Sequence, residues 1–300
     1  MRRVLLWLWK WMMPGLVSVG LIAFLIWRIS WEELQREIAL LDYPRLFPLT
    51  ALFVLVIYLW DSVCFRYVYA QGQGPLRFRT VLRVRGVSYL FNPINYELGQ
   101  AVFAWGMARA QHTSVRSALA RAVAVSLHDI VILFSLGLVG SSLSDDPVAE
   151  DAGQVCAIAL GVIAIVLLTY WLLPGKWHEA LQESKWGAWT KAWSWRRSGI
   201  LVGLRLVHFS LILTYAGIGL SWSGVPLDAA VVASAIPLVV LIDGLPIGIS
   251  GIGTREGALV YFLQPEHEAA VVAFSLVCWS LGQGLGRVMI GAITWWLTQK

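Results

Sequence analysis

Long apolar runs alternate with short polar breaks along the chain, and the run lengths predict helices that cross a bilayer, which takes about 20 apolar residues each. A basic start followed by apolar sequence fills residues 1–28. With no small-residue cleavage site after it, this segment reads as a retained anchor. Ser30 and Glu33 then stand at capping-box spacing before a short helix on which Trp31, Leu34, Ile38 and Leu41 share one face, while Glu33 and Glu37 point away. That helix is expected to lie flat on the outer interface. Pro44 and Pro48 precede a second span at 49–70, and further spans are expected at 117–140, 155–173, 201–222 and 269–296. The pattern is that of an all-α membrane protein with about six transmembrane helices in a single domain over 1–300.

Two segments interrupt the pattern. Within 77–111, apolar sequence resumes at Val87 and is broken by Asn92-Pro93, Asn95, Glu97 and Gly99. Within 228–264, the stretch 241–258 (LIDGLPIGISGIGTREGA) sets a proline, five glycines, an aspartate, Arg255 and Glu256 into deeply apolar sequence. Lipid offers amide groups no hydrogen-bond partners, so non-helical chain at membrane depth survives only where protein covers it or where it lines a cavity. Both segments are read as re-entrant helical hairpins, the first from inside and the second from outside. The halves 1–140 and 153–300 then follow one plan in opposite orientations. This is the layout of an inverted repeat, inferred from hydropathy and helix breakers and not from sequence identity.

Charge orients this layout. Hydrophobic residues make up 58% of the chain and charged residues 14%, which excludes an ordinary soluble domain. The net charge of +5 is gathered in clusters beside apolar runs: Arg2, Arg3 and Lys10, then Arg77, Arg79, Arg83 and Arg85, then Lys176, Lys185, Lys191, Arg196 and Arg197. Such clusters mark a cytoplasmic face against anionic lipid rather than a nucleic-acid surface. With Lys300 also inside, both termini are expected in the cytoplasm of a bacterial cell and the acidic segments 141–153 and 264–268 outside. Cys64, Cys156 and Cys278 lie in apolar runs as buried thiols, and the five histidines have no zinc-ligand spacing. Hydrolase and dinucleotide motifs are missing at the central glycines, so no catalytic activity, metal or cofactor is expected.

The candidate chemistry centres on the second hairpin. Gly251 and Gly253 permit positive φ and leave amide groups bare, and Thr254 is placed to cap a helix starting at Arg255. A helix start carrying an arginine attracts a phosphate or carboxylate, so this bend is read as an anion site at bilayer depth; the competing reading is a tight turn between packed helices. Glu256 cannot face Arg255 on a helix and is expected to pair with Arg287 or Arg205. Asp61 either pairs with a basic neighbour or faces the cavity. Arg205 shares a face with His208 and either snorkels to the inner interface, the reading preferred from its position, or joins the site. His128 is read as a hydrogen-bonded structural group or a proton carrier, and Gly282 with Gly286 suits close helix packing.

The stretch LPIGISGIGTREGA resembles the proline, glycine-pair, Arg-Glu signature of the lysylphosphatidylglycerol synthase transmembrane-region family, flippase-like integral membrane proteins. Glu97 matches the glutamate of a Gly-Glu pair in the family's first hairpin, with Tyr96 in place of the glycine and Gln100 where the family has an arginine. Asp129 resembles an aspartate of the third span, with Val125-Ser126 where a Glu-Arg pair often stands. The resemblance implies a polytopic protein that moves lipids, alone or fused to a soluble aminoacyltransferase domain that is not expected in these residues. The expectation is a translocator carrying an anionic phospholipid or polyprenyl-phosphate-linked lipid through a midplane cavity, with oligomers allowed. Its candidate binding residues are Gly251, Gly253, Thr254, Arg255 and Glu256, joined by Asp61, Asn92, Glu97, Asp129, Arg205 and Arg287. The alternatives are a membrane transferase with Glu97 or Glu256 as base, and an accessory scaffold.

Overall fold

All regular structure in the computed structural model is helical among the described residues, which are 2–71, 75–93, 96–172, 175–176, 179, 194–225, 227–245, 247–248, 251–263 and 267–299. Asn95, Lys185, Lys191, Lys300 and the acidic break at 264–266 lie outside them, as do the side chains of Arg2, Arg3, Lys10 and Glu97.

The chain opens with α1 (Arg2–Ile29) and α2 (Trp31–Leu40), bent 89° apart at Ser30. Ser30 has φ 72°, and its hydroxyl accepts the Glu33 amide at 3.2 Å, as the capping-box spacing predicts. Leu34 and Leu41 are buried and Ile38 packs against the core, while Trp31, at the start of the same face, is half exposed. Next, α3 (Tyr43–Tyr69) begins ahead of the predicted 49–70. Asp42 accepts the Arg45 amide at 3.3 Å and Pro44 sits in the first turn, so Pro44 starts the helix and Pro48 lies within it, rather than both preceding it.

Three further long helices, α6 (Val115–Ser142), α7 (Pro147–Leu172) and α8 (Trp195–Trp222), and the last, α11 (Glu268–Thr298), match the remaining predicted spans. With α3 they are the five helices long and apolar enough to cross a membrane, and α1 with α2 would make a sixth as one broken span. The expected outer segment 141–153 shrinks to 143–146, because Asp146 accepts the Val148 amide at 2.8 Å and Pro147 and Glu150 favour a helix start there. Between the long helices lie two pairs of shorter ones, α4 (Phe78–Tyr89) with α5 (Tyr96–Ala110), and α9 (Ala229–Asp243) with α10 (Thr254–Leu263). The members of each pair pack together, at the places where the sequence predicts hairpins. Gly282 and Gly286 bring α11 onto α3, where added β-carbons would meet Thr50 at 3.1 Å and Val54 at 3.2 Å.

Two large apolar clusters hold most of these helices, and two smaller ones, around Leu133 with Phe209 and around Cys156 with Leu238, lie beside them among the described residues. One large cluster joins the first half of α3, the second half of α8, α9, α10 and the first part of α11, with Phe53 stacked on Tyr215 at 4.2 Å. The other large cluster joins the end of α3 to α4, α5 and the starts of α6 and α8, around Phe65, Tyr69 and Phe103. Along α3, Asp61 falls between Ile57 of the first cluster and Phe65 of the second; along α8, Arg205 falls between Leu201 and Tyr215 in the same way. The charged residues therefore occupy a layer between two hydrophobic bodies.

The charge bias predicts that the 143–146 loop faces outward. In an Asp145→Cys protein, a membrane-impermeant maleimide added from outside should label intact cells, since Cys64, Cys156 and Cys278 are buried and silent. Labelling only after permeabilisation would reverse the orientation.

Candidate functional site

Asp61 lies in the middle of an apolar helix, where a lone carboxylate in low dielectric needs opposite charge. Two arginines supply it. Arg85 Nη2 is 2.5 Å from Asp61 Oδ2, and Arg205 Nη1 is 3.0 Å from Asp61 Oδ1. Arg205 also grips Asp129 with two prongs, Nε to Oδ1 at 2.6 Å and Nη2 to Oδ2 at 2.7 Å. His208, one turn further along α8, places Nδ1 3.9 Å from Asp61 Oδ1. This network ties α3, α4, α6 and α8 together with two positive and two negative charges. The Arg85 guanidinium sits over the rings of Phe65, Tyr89 and Phe103 at 5.0, 5.1 and 5.4 Å.

Arg205 does not snorkel. Carboxylates approach it from two neighbouring helices, so its guanidinium stays buried between them. Arg85, read from the sequence only as a marker of the inner face, is the second partner of Asp61. The signal was Asp61 itself, which required a cation, but several arginines were available and only packing selects among them. The Nδ1 atom of His128 lies 2.8 Å from the carbonyl of Ala124, which accounts for that side chain as structure.

The second cluster forms at the bend before α10, where Gly251 and Gly253 take φ 74° and 87° as predicted. A β-carbon on Gly251 would land on the Asp243 carboxylate. That carboxylate accepts Arg255 Nη2 at 2.6 Å, and Arg255 Nη1 donates to Ser280 Oγ at 2.8 Å. Glu256 is fully buried, and it pairs with neither Arg287 nor Arg205. Its Oε1 accepts Ser275 Oγ at 2.7 Å and Ser280 Oγ at 3.1 Å, and its Oε2 accepts the Gly253 amide at 2.6 Å. On an α-helix, residues five apart point about 140° away from each other. The π-helical stretch Ser275–Gly282 of α11 brings Ser275 and Ser280 to one side, and Ser280 bridges Arg255 to Glu256.

The cap is also reassigned. Thr254 is the first residue of α10, and its hydroxyl donates to the carbonyl of Gly251 at 3.0 Å instead of accepting an amide. Glu256, three residues after Gly253, fills the capping role from inside the helix, so the positive helix start already holds the chain's own anion.

Both clusters border one cavity of about 610 Å³, inside the roughly 300–1,000 Å³ range of small-molecule sites. Of the predicted site residues, Asp61, Asn92, Asp129, Arg205, Arg255 and Arg287 line it. Gly251, Gly253, Thr254 and Glu256 are not in its lining and instead set the position of Arg255, while the Glu97 side chain is outside the described residues. Arg85, His208, Asp243 and Gln283 line it as well.

Arg287 stands apart from the other three arginines. Its Nη2 donates to Gln283 Oε1 at 3.1 Å and its guanidinium lies 5.9 Å from the Tyr89 ring, with no carboxylate in ion-pair range among the described residues. The described lining thus carries four arginines against three aspartates.

The family described as Lysylphosphatidylglycerol synthase TM region matches residues 11–291 of the chain. No curated protein and no solved structure matches it.

Two measurements of unfolding in detergent test the clusters. Asp61→Ala takes from Arg85 its ion-pair partner and from Arg205 one of two, and should cost about 3–5 kcal/mol, with part recovered when Arg85→Leu is added; wild-type stability would show that Asp61 carries no such load. Gly251→Ala and Asp243→Asn should be non-additive, coupled by about 0.5–3 kcal/mol, because either change breaks the same Asp243–Arg255 pair. Additive losses would separate the glycine from that pair.

Proposed function

The chain belongs to the lysylphosphatidylglycerol synthase transmembrane-region family, and from that premise we propose that it carries lipids with anionic, phosphate-bearing headgroups between leaflets through the charged cavity. Membership makes it an integral membrane protein concerned with membrane lipids. The observation that carries the finer reading is Arg287, a cavity arginine without a carboxylate partner among the described residues. An ionic headgroup crossing hydrocarbon unaided faces a high desolvation cost. A guanidinium offers it a two-pronged partner, and the neighbouring arginines, held by Asp61, Asp129 and Asp243, keep their own geometry as the anion passes.

The packing plan supports an inverted repeat with hairpins. The first hairpin's α4 leans on α11, the last span of the second half, and the second hairpin's α9 leans on α6, the last span of the first half. Broken helices meeting in this crossed manner are how secondary transporters build midplane sites. The arginines at 77–85 and 196–197 favour a bacterial cytoplasmic membrane with both termini inside. A carrier is preferred to a transferase, since Glu256 is buried, hydrogen-bonded and away from the cavity lining.

A leaflet-protection assay on proteoliposomes with fluorescently labelled phosphatidylglycerol tests this. Arg287→Gln, which removes one hydrogen bond and the contact with the Tyr89 ring but no ion pair, should fold normally and slow translocation about ten-fold, the loss expected for roughly 1.4 kcal/mol; Arg287→Lys should recover part of it. The mass of the recovered lipid should be unchanged. Translocation by folded Arg287→Gln at the wild-type rate, or a change in lipid mass, would refute the reading.

A further inference from the structure

The cavity is not charged throughout. Leu133, Phe134, Val155, Leu238, Leu241 and Phe262, drawn from α6, α7, α9 and α10, line it with hydrocarbon that can do nothing for a headgroup. Leu133 and Leu238 are buried, but Val155 is 49% exposed and Leu245, just after α9, is 48% exposed, although both also line the cavity. Residues that border a cavity and are also widely exposed mark its mouth. Val155 is the ninth residue of α7, roughly 12 Å along its axis, so this mouth opens on the flank of a membrane-spanning helix and not at its end.

We infer that the acyl chains of the carried lipid lie along this apolar wall, and that the lipid enters and leaves sideways through a mouth at Val155 and Leu245 while its headgroup reaches Arg287. This rests on the headgroup reading above and adds the tail to it. A chain moving from bilayer to apolar wall exchanges one hydrocarbon surface for another, whereas it would lose heavily by entering water. The ligand is therefore a lipid drawn from the membrane, and not a free organic phosphate bearing the same anion.

The test blocks the mouth. With fluorescent phosphatidylglycerol in proteoliposomes, Val155→Trp should slow translocation at least ten-fold, while Ile165→Trp, on the exposed face of the same helix and outside the cavity lining, should not. Because an added tryptophan can disturb folding, the second arm modifies a Leu245→Cys protein with a bulky maleimide after reconstitution and compares the rate before and after; a drop of similar size is expected. Vesicles loaded with glycerol 3-phosphate should retain it. Wild-type rates in both blocked proteins would overturn the lateral mouth while leaving the headgroup reading intact, and release of glycerol 3-phosphate as fast as lipid moves would remove the tail from recognition. If wild-type protein moves no labelled lipid, the carrier reading fails and this inference with it.

Discussion

A carboxylate in hydrocarbon needs opposite charge or a full set of hydrogen-bond donors, and three aspartates in this protein meet that need with arginines from three separate regions of the chain. Asp61 draws Arg85 from α4 and Arg205 from α8; Asp129 completes the grip on Arg205; Asp243 fixes Arg255. Each pair is long-range in sequence or spans a bend, so the charged layer acts as a set of cross-links between helices, beside a few neutral hydrogen bonds such as Tyr58 to the Leu82 carbonyl and Trp60 to the Leu204 carbonyl and a larger body of non-directional apolar contact. Hydrophobic packing above and below can tolerate small slides. The guanidinium–carboxylate geometry cannot, and it sets the register in which the helices meet.

The same constraint explains why the central bend is built from glycine and serine. Gly251 is needed because the space a side chain would fill belongs to the Asp243 carboxylate, and because the backbone there is left-handed. Glu256 is satisfied without a cation, by two hydroxyls and an amide, which leaves Arg255 to Asp243. The π-helical stretch of α11 makes this possible by putting Ser275 and Ser280 on one side. The helix start expected to receive an anion is thus closed by the protein's own carboxylate, and the cationic character of the cavity passes to Arg287, where no carboxylate competes among the described residues.

Membrane character, helix count and the positions of both broken segments were legible in the sequence, because run length and breaker residues report local physics: a helix must be long enough to cross, and proline, glycine and polar residues cannot interrupt one in lipid without cover. The Ser30 cap and the left-handed Gly251 and Gly253 were equally local and came out as expected. Six of the predicted site residues line the cavity for the same reason, since ionisable groups inside apolar spans have few other places to be. What the tertiary structure alone decided was partnership. Asp61 announced that it needed a cation but not that it would take Arg85 and Arg205; Glu256 announced a need for partners but not that they would be serines brought together by a π-helical turn; and Arg287 is distinguished from three other arginines only by what is absent around it among the described residues. Charge pairing depends on which helices lie within a few ångströms of each other, and no periodicity along a single chain encodes that distance.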